Sequence, residues 1–396
     1  MNARERLDAV MSFESVDRSL LWEFGYWSGA VRRWYREGLP RKVGVPDFLG
    51  DGQGVIGEGG AFDPTDPSRP AATDLHDYFA MDEGIRRIPL VNYFAPAIPE
   101  VVLEDHGDWY LWRDDMGIVR RDRKDRATLP EFVDWPVASR DDWERLKAER
   151  LQPTLEGRLP ARWPEFVAEY RDRAYPLAIA GRHGFYGTPR YLLGDERVLT
   201  MFYDDPALMH DIIDYLADFW VALYDQVLSQ TNVDLALIWE DMCYKTASLI
   251  SPAMFREFML PAYKQLTGCF RDHGIRHVLL DTDGNCWQLI PLFIEGGVTG
   301  LYPFEVNAGM DVREVRQAFP DLQILGGIDK VQVAAGRAQI DAELEKVPGM
   351  LRQGGYVPYV DHLVPPDISW ANFEYYRTRL NQIVSETTFG GKARTA

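Results

Sequence analysis

The feature that most constrains this chain is a recurring one: a short apolar run that stops on a carboxylate. Residues 276–280 form a mainly apolar run ending in Leu279-Leu280, and Asp281-Thr282-Asp283-Gly284-Asn285 follows before an amphipathic helical pattern begins. That order describes a buried strand delivering acidic side chains to a strand-to-helix loop. Four other runs end the same way: Ile238-Trp239-Glu240-Asp241, Tyr302-Pro303-Phe304-Glu305, Leu325-Gly326-Gly327-Ile328-Asp329 and Val357-Pro358-Tyr359-Val360-Asp361-His362. Strands apolar throughout belong to parallel sheets covered on both faces.

The regular part of the chain predicts strands over residues 175–180, 233–239, 276–280, 299–302, 322–325 and 356–360. Helical patterns separate them, over 205–228, 251–272, 287–295, 312–318, 338–352 and 369–383. Asp205-Pro206 and Ser251-Pro252 each place a capping side chain before a proline at the first helical position. Pro348 would kink or split the helix in which it falls. Near the N-terminus, residues 2–12 read as a short helix and residues 19–24 as a first strand. Between 25 and about 163 the pattern is irregular and rich in aromatic residues, an excursion over one end of the fold. Within it, Trp109 to Arg113, Asp114-Asp115-Met116-Gly117 and residues 118–121 form a hairpin signal.

Six regular strands, the one at 19–24 and one from 100–121 make eight. The fold class expected is therefore α/β, a (β/α)8 TIM barrel with its site at the C-terminal ends of the strands. An open doubly wound sheet is the competing architecture, but no GxGxxG or GxxxxGK[ST] follows any strand. Residues 1–386 are expected to form one domain that includes the excursion, and 387–396 a flexible tail.

With 43 basic and 61 acidic residues the formal net charge is −18, which argues against contact with nucleic acid or an anionic membrane. The three cysteines, Cys243, Cys269 and Cys286, form no CxxC pair, so neither a disulfide framework nor a cysteine-rich zinc site is expected. The charged N-terminus and the lack of a run of about 20 apolar residues predict a soluble, cytoplasmic protein.

On a barrel, Glu240, Asp241, Asp281, Asp283, Glu305, Asp329, Asp361 and His362 would all face one mouth. So many carboxylates repel one another unless a cation, protons or basic groups offset them. Three readings follow. Asp281, Asp283, Glu240 and Asp361 would bind a divalent metal with oxygen ligands, of the Mg, Mn or Fe kind before Zn. The carboxylates, with Asp281, Asp283, Glu240 and Asp241 as the catalytic set, would share protons. Or they cap helices and pair with Arg and Lys. Gly181-Arg182-His183-Gly184-Phe185-Tyr186-Gly187 joins basic and phenolic groups to a flexible backbone. There Arg182 would clamp a carboxylate or phosphate, His183 would transfer protons and Tyr186 would orient a substrate. The bland alternative is a glycine-rich turn with Arg182 paired to a neighbouring carboxylate. Trp239, Glu305, Asp329 and His362 complete the expected substrate-binding set. Lys245 would neutralise the cluster, and the isolated cysteines read as packing groups.

Several segments resemble the uroporphyrinogen decarboxylase superfamily, which also contains corrinoid-linked methyltransferases. They are Asn2-Ala3-Arg4-Glu5-Arg6-Leu7 with Asp17-Arg18, Leu193-Gly194-Asp195-Glu196, Ile250-Ser251-Pro252, Asp283-Gly284-Asn285, Gly326-Gly327-Ile328-Asp329-Lys330 and Val364-Pro365-Pro366-Asp367. The resemblance implies a (β/α)8 barrel and a homodimer. The decarboxylases' Arg-Gln-Ala-Gly-Arg-like loop is replaced here by Phe24-Gly25-Tyr26-Trp27-Ser28-Gly29-Ala30-Val31-Arg32-Arg33. Where zinc-dependent methyltransferases carry His-x-Cys, this chain has Asp281-Thr282-Asp283, and Asp361 lies near their further Cys. The resemblance thus implies an acidic-site enzyme moving a methyl group from a small methylated substrate to a corrinoid on a separate protein. A lyase acting on a carboxylated small molecule and a ligand-binding barrel without catalysis are the alternatives.

Overall fold

The computed structural model describes residues 1–46, 49–56, 73–90, 93–180, 184–389 and 391. The backbone forms two compact units: Met1–Arg87, Arg173–Ala178 and Thr299–Ala396 in one, Ile88–Asp172 and Ile179–Val298 in the other.

In the first unit, strands Gly300–Tyr302, Gln323–Leu325 and Tyr356–Val357 run parallel, in a register that pairs Gly300 with Gln323 and Ile324 with Tyr356. Every residue of the three is buried. Helices alternate with them, as the pattern predicts. The helix expected over 338–352 is two, Arg337–Leu344 and Val347–Leu351. Pro348 is the reason: lacking an N–H, it is tolerated in the first turn of a new helix and not inside a longer one. The final helix, Trp370–Glu386, is capped by Ser369, whose hydroxyl accepts from Asn372 N at 3.3 Å. It buries Phe373 in a stack with Trp34, ring centroids 4.4 Å apart.

The strand expected over 19–24 is a correction. Leu20, Leu21, Trp22 and Phe24 are buried but join no ladder, and the strand is Gly25–Trp27, antiparallel to Gly54–Ile56. A side chain takes the ladder's place at Glu23, whose carboxylate accepts Val360 N at 2.8 Å. Arg86–Arg87 instead provides a short strand, parallel to Leu177 and Ala178. Of the segment expected as a tail, Phe389 is buried and its N–H and C=O both bond to Val16, while Gly390 and 392–396 lie outside the described residues.

In the second unit, Leu235–Trp239 and His277–Asp281 are parallel neighbours, paired from Leu235 with His277 to Trp239 with Asp281. Pro206–Leu228 starts at the predicted cap, Asp205, which accepts Leu208 N at 2.9 Å. Leu208, Ile212, Leu216 and Leu223, spaced for one helix face, are buried. Each burial contributes about 1.5–3 kcal/mol. The helix expected over 251–272 is interrupted by a π-turn at Phe255–Met259. It ends beside Pro261, whose missing N–H breaks the regular ladder.

The hairpin at Trp109–Arg113 and Val119–Arg123 forms, within a four-stranded antiparallel sheet that also holds Val101–Asp105 and Glu131–Asp134. The expectation that 100–121 contributes a barrel strand is therefore corrected. Its outer strands are wholly exposed, and Val119–Arg123 carries three arginines. A strand buried on both faces has no room for such charges. Among the described residues, no helix is long and apolar enough to cross a membrane.

Candidate active site

The ends of Leu235–Trp239 and His277–Asp281 are laced together just beyond their last paired residues. Glu240 N donates to Asp281 O at 2.9 Å, and Met242 N donates to the Thr282 hydroxyl at 3.2 Å. Residues 240–242 and 281–283 thus run side by side. A short turn follows, with Tyr244 N bonded to Ala247 O at 2.8 Å, and Asn285 N closes onto Tyr244 O at 2.8 Å. Gly284 is required where these segments meet. Its φ is +74°, and a Cβ there would lie 2.7 Å from Tyr244 O and 2.8 Å from Cys243 O.

This lacing brings three of the predicted carboxylates together. Oxygen atoms of Asp241, Asp281 and Asp283 all lie within 4.8 Å of one another, and each residue is half-buried. Asp241 holds a φ of +48°. A side chain in that left-handed region costs of order 1–3 kcal/mol, and such strain gathers at functional sites. Arg190, on the short helix Gly187–Leu193, reaches Asp241 Oδ2 at 3.3 Å and Asp241 O at 3.2 Å. Its guanidinium lies over the Trp239 ring, 5.1 Å from the centroid, and Trp239 is stacked on Tyr191.

Glu240 has a different place. It is 0 % exposed and its two oxygens take four donors: Phe185 N at 2.8 Å, Tyr186 N at 2.7 Å, Gly187 N at 2.8 Å and the Tyr263 hydroxyl at 2.5 Å. Burial pushes its carboxyl above the usual range, and these hydrogen bonds pull against that. The side chain anchors the start of the helix that carries Arg190. Gly184 lets the turn approach so closely, since a Cβ there would meet Trp239 O at 2.0 Å. Tyr186 is buried at this turn, and burial raises its phenol far above the ordinary value. Arg182 and His183 lie outside the described residues. Cys243 sits beside the group, its thiol pushed up to about 12 by burial, with Glu240, Asp241 and Asp283 adding to the rise. It therefore stays a neutral thiol without a metal. Lys245 is exposed in the turn.

The remaining predicted residues belong to the first unit. Asp361 is 0 % exposed, accepts Val306 N at 3.0 Å and Lys330 N at 3.2 Å, and has Lys330 Nζ at 3.8 Å. Lys330 also meets Glu305 at 3.3 Å. Asp329 caps the helix Lys330–Ala335, accepting Val331 N and Asn307 Nδ2, both at 2.8 Å. His362 is half-buried with its ring 5.6 Å from that of Phe24. Sequence reasoning missed Arg190, Tyr263, Thr282 and Lys330 as partners. A tyrosine on an apolar helix face and an arginine in a helix interior carry no local signal.

Burial pushes Asp361 up to about 6 from 3.8, against the pull of Lys330 and two backbone N–H groups. The native state therefore keeps this proton over a range in which the unfolded chain has lost it. Its stabilising contribution is complete below pH 4 and is lost as pH rises through 6, by about 3 kcal/mol in all. Chemical denaturation of wild type and Asp361→Asn between pH 4 and pH 6.5 should show this difference in slope. Parallel pH profiles would refute it.

Three comparisons define what the chain is similar to. The class is that of an α/β protein of the (β/α)8 barrel type. A solved structure described as a methyltransferase from Methanosarcina mazei superposes with a TM-score of 0.56 over 96% of this chain and 100% of that one, at 15% identity. The family model described as uroporphyrinogen decarboxylase (URO-D) matches residues 124–381, and the chain belongs to that family. The methylated-thiol–coenzyme M methyltransferase of Methanosarcina mazei is 24% identical over 209 residues, 52% of this chain and 50% of that protein. The chain thus spans about half the length of this curated relative.

Proposed function

We propose that this chain is an enzyme that removes a methyl group from a small methylated substrate and passes it to a corrinoid carried by a separate protein. The observation that carries the reading is the convergence of Asp241, Asp281 and Asp283. Breaking a bond between a methyl group and a heteroatom leaves electron density on that atom, and catalysis requires something to stabilise it. The three carboxylates would hold a divalent cation of the Mg or Mn kind, which supplies Lewis acidity at the leaving heteroatom. Oxygen donors at these positions suit such a hard cation better than zinc.

The chain's own residues would do the rest. Trp239 and Tyr191 form an aromatic wall beside the carboxylates, and Glu240 fixes the turn that carries Tyr186. The relative named for a methylated-thiol activity supports methyl transfer in general. A decarboxylase is the second reading, and the match to the uroporphyrinogen decarboxylase family model over residues 124–381 favours it.

Incubation of the protein with cob(I)alamin and methylated thiols, ethers or amines should produce methylcobalamin, followed by its absorbance. Release of CO₂ from carboxylated substrates with no methylcobalamin formed would replace this reading with the second.

A further inference from the structure

Two features of Asp241 need an explanation that carboxylate chemistry alone does not supply: its left-handed backbone and the way Arg190 binds it. The guanidinium spends one nitrogen on the peptide oxygen of Asp241, at 3.2 Å, and one on the carboxylate, at 3.3 Å. A guanidinium acting only as counter-ion would take both carboxylate oxygens in the parallel, bidentate manner. Here it fixes instead the relation between the backbone and the side chain of one residue.

Arg190 is itself aimed by packing. Its guanidinium lies 5.1 Å from the Trp239 centroid and 5.7 Å from that of Tyr191. The Trp239 ring is seated against Gly187, where a Cβ would come within 2.8 Å of it. The Asp195 carboxylate, 3.7 Å from Nε, faces the remaining edge. Glu240 anchors the start of the same helix through the N–H groups of Phe185, Tyr186 and Gly187. Two consecutive residues beyond the strand, Glu240 and Asp241, are therefore tied to one helix at two points.

We propose that Arg190 is a positioning residue: it holds Asp241 in the left-handed turn that presents its carboxylate to Asp281 and Asp283, and so sets their affinity for a divalent cation. The proposal rests on the cation reading of the site given above. It makes a prediction of opposite sign to the simplest electrostatic one. Removing a positive charge beside three carboxylates should tighten cation binding, whereas removing a positioning residue should weaken it.

The test uses the full chain and Mn²⁺ alone, with free Mn²⁺ read by electron paramagnetic resonance. Arg190→Met should bind Mn²⁺ roughly tenfold or more weakly than wild type, the scale found when a residue that orients a metal ligand is removed. Arg190→Lys should fall between, and added guanidinium ion should restore part of the loss in Arg190→Met. Equal or tighter binding by Arg190→Met overturns the proposal.

A second measurement stands apart from any cation. Glycine adopts the left-handed turn without help, so Arg190→Met should lower the melting temperature far less in an Asp241→Gly background than in an Asp241→Ala one, where the carboxylate is equally absent. Equal shifts in the two backgrounds overturn the proposal. Should wild type bind no Mn²⁺, the cation reading of the site falls, and this coupling alone decides the role of Arg190.

Discussion

Replacing Glu240 with alanine is expected to lower the free energy of unfolding by about 3–5 kcal/mol, because several buried donors, at about 1–3 kcal/mol each, lose their acceptor while the cost of burying a carboxylate is relieved. Three backbone N–H groups and the Tyr263 hydroxyl would lose their acceptor in a place water does not reach, since Glu240 is 0 % exposed. A cavity would add to the loss. Glu240→Gln should fall between, because it keeps one acceptor oxygen but turns an amide N–H toward backbone donors. Chemical denaturation followed by tryptophan fluorescence measures both. An alanine variant with an unchanged midpoint would mean that the turn over 184–187 holds itself.

The largest effect on turnover is expected from Asp281→Asn combined with Asp283→Asn. Both side chains are half-buried, so the amides fit and the fold should survive. Activity should fall by roughly 10²–10⁴-fold, the range for loss of a positioned acid–base or cation-holding group. Asp241→Asn should act in the same direction and leave a strained turn behind. Retention of more than about a tenth of wild-type activity by the double variant, with its fold intact by circular dichroism, would move the site elsewhere.

Much of this arrangement was legible in the amino-acid order. The apolar runs at 233–239 and 276–280 announce buried strands, and their positions agree with the structure to within two residues. Asp205-Pro206, Ser251-Pro252 and Ser369 mark helix starts because a capping oxygen acts within three residues of itself. Asp281 and Asp283 were identifiable because the end of a strand is a local property. Asp241 was identifiable in the same way.

Errors arose where a distant group decided the outcome. The segment 19–24 has the composition of a strand, yet the Glu23 carboxylate takes up a backbone N–H 337 residues away, and the ladder begins after it. The hairpin expected near 109–121 forms, but in the four-stranded antiparallel sheet and not in the barrel sheet. Its turn chemistry is local, whereas the burial that its arginines forbid is a property of the whole packing.

The neighbouring carboxylates Glu240 and Asp241 thus have separate places. By itself the sequence determined that Glu240 and Asp241 stand at the end of an apolar strand, since period and turn chemistry extend over a few residues. Only the tertiary structure decided which of them is anchored and which joins Asp281 and Asp283. That choice depends on where the helix Gly187–Leu193 docks: its amide groups engage Glu240 and its Arg190 engages Asp241. Contacts across some 50 residues of chain are set by packing, and no local pattern encodes them.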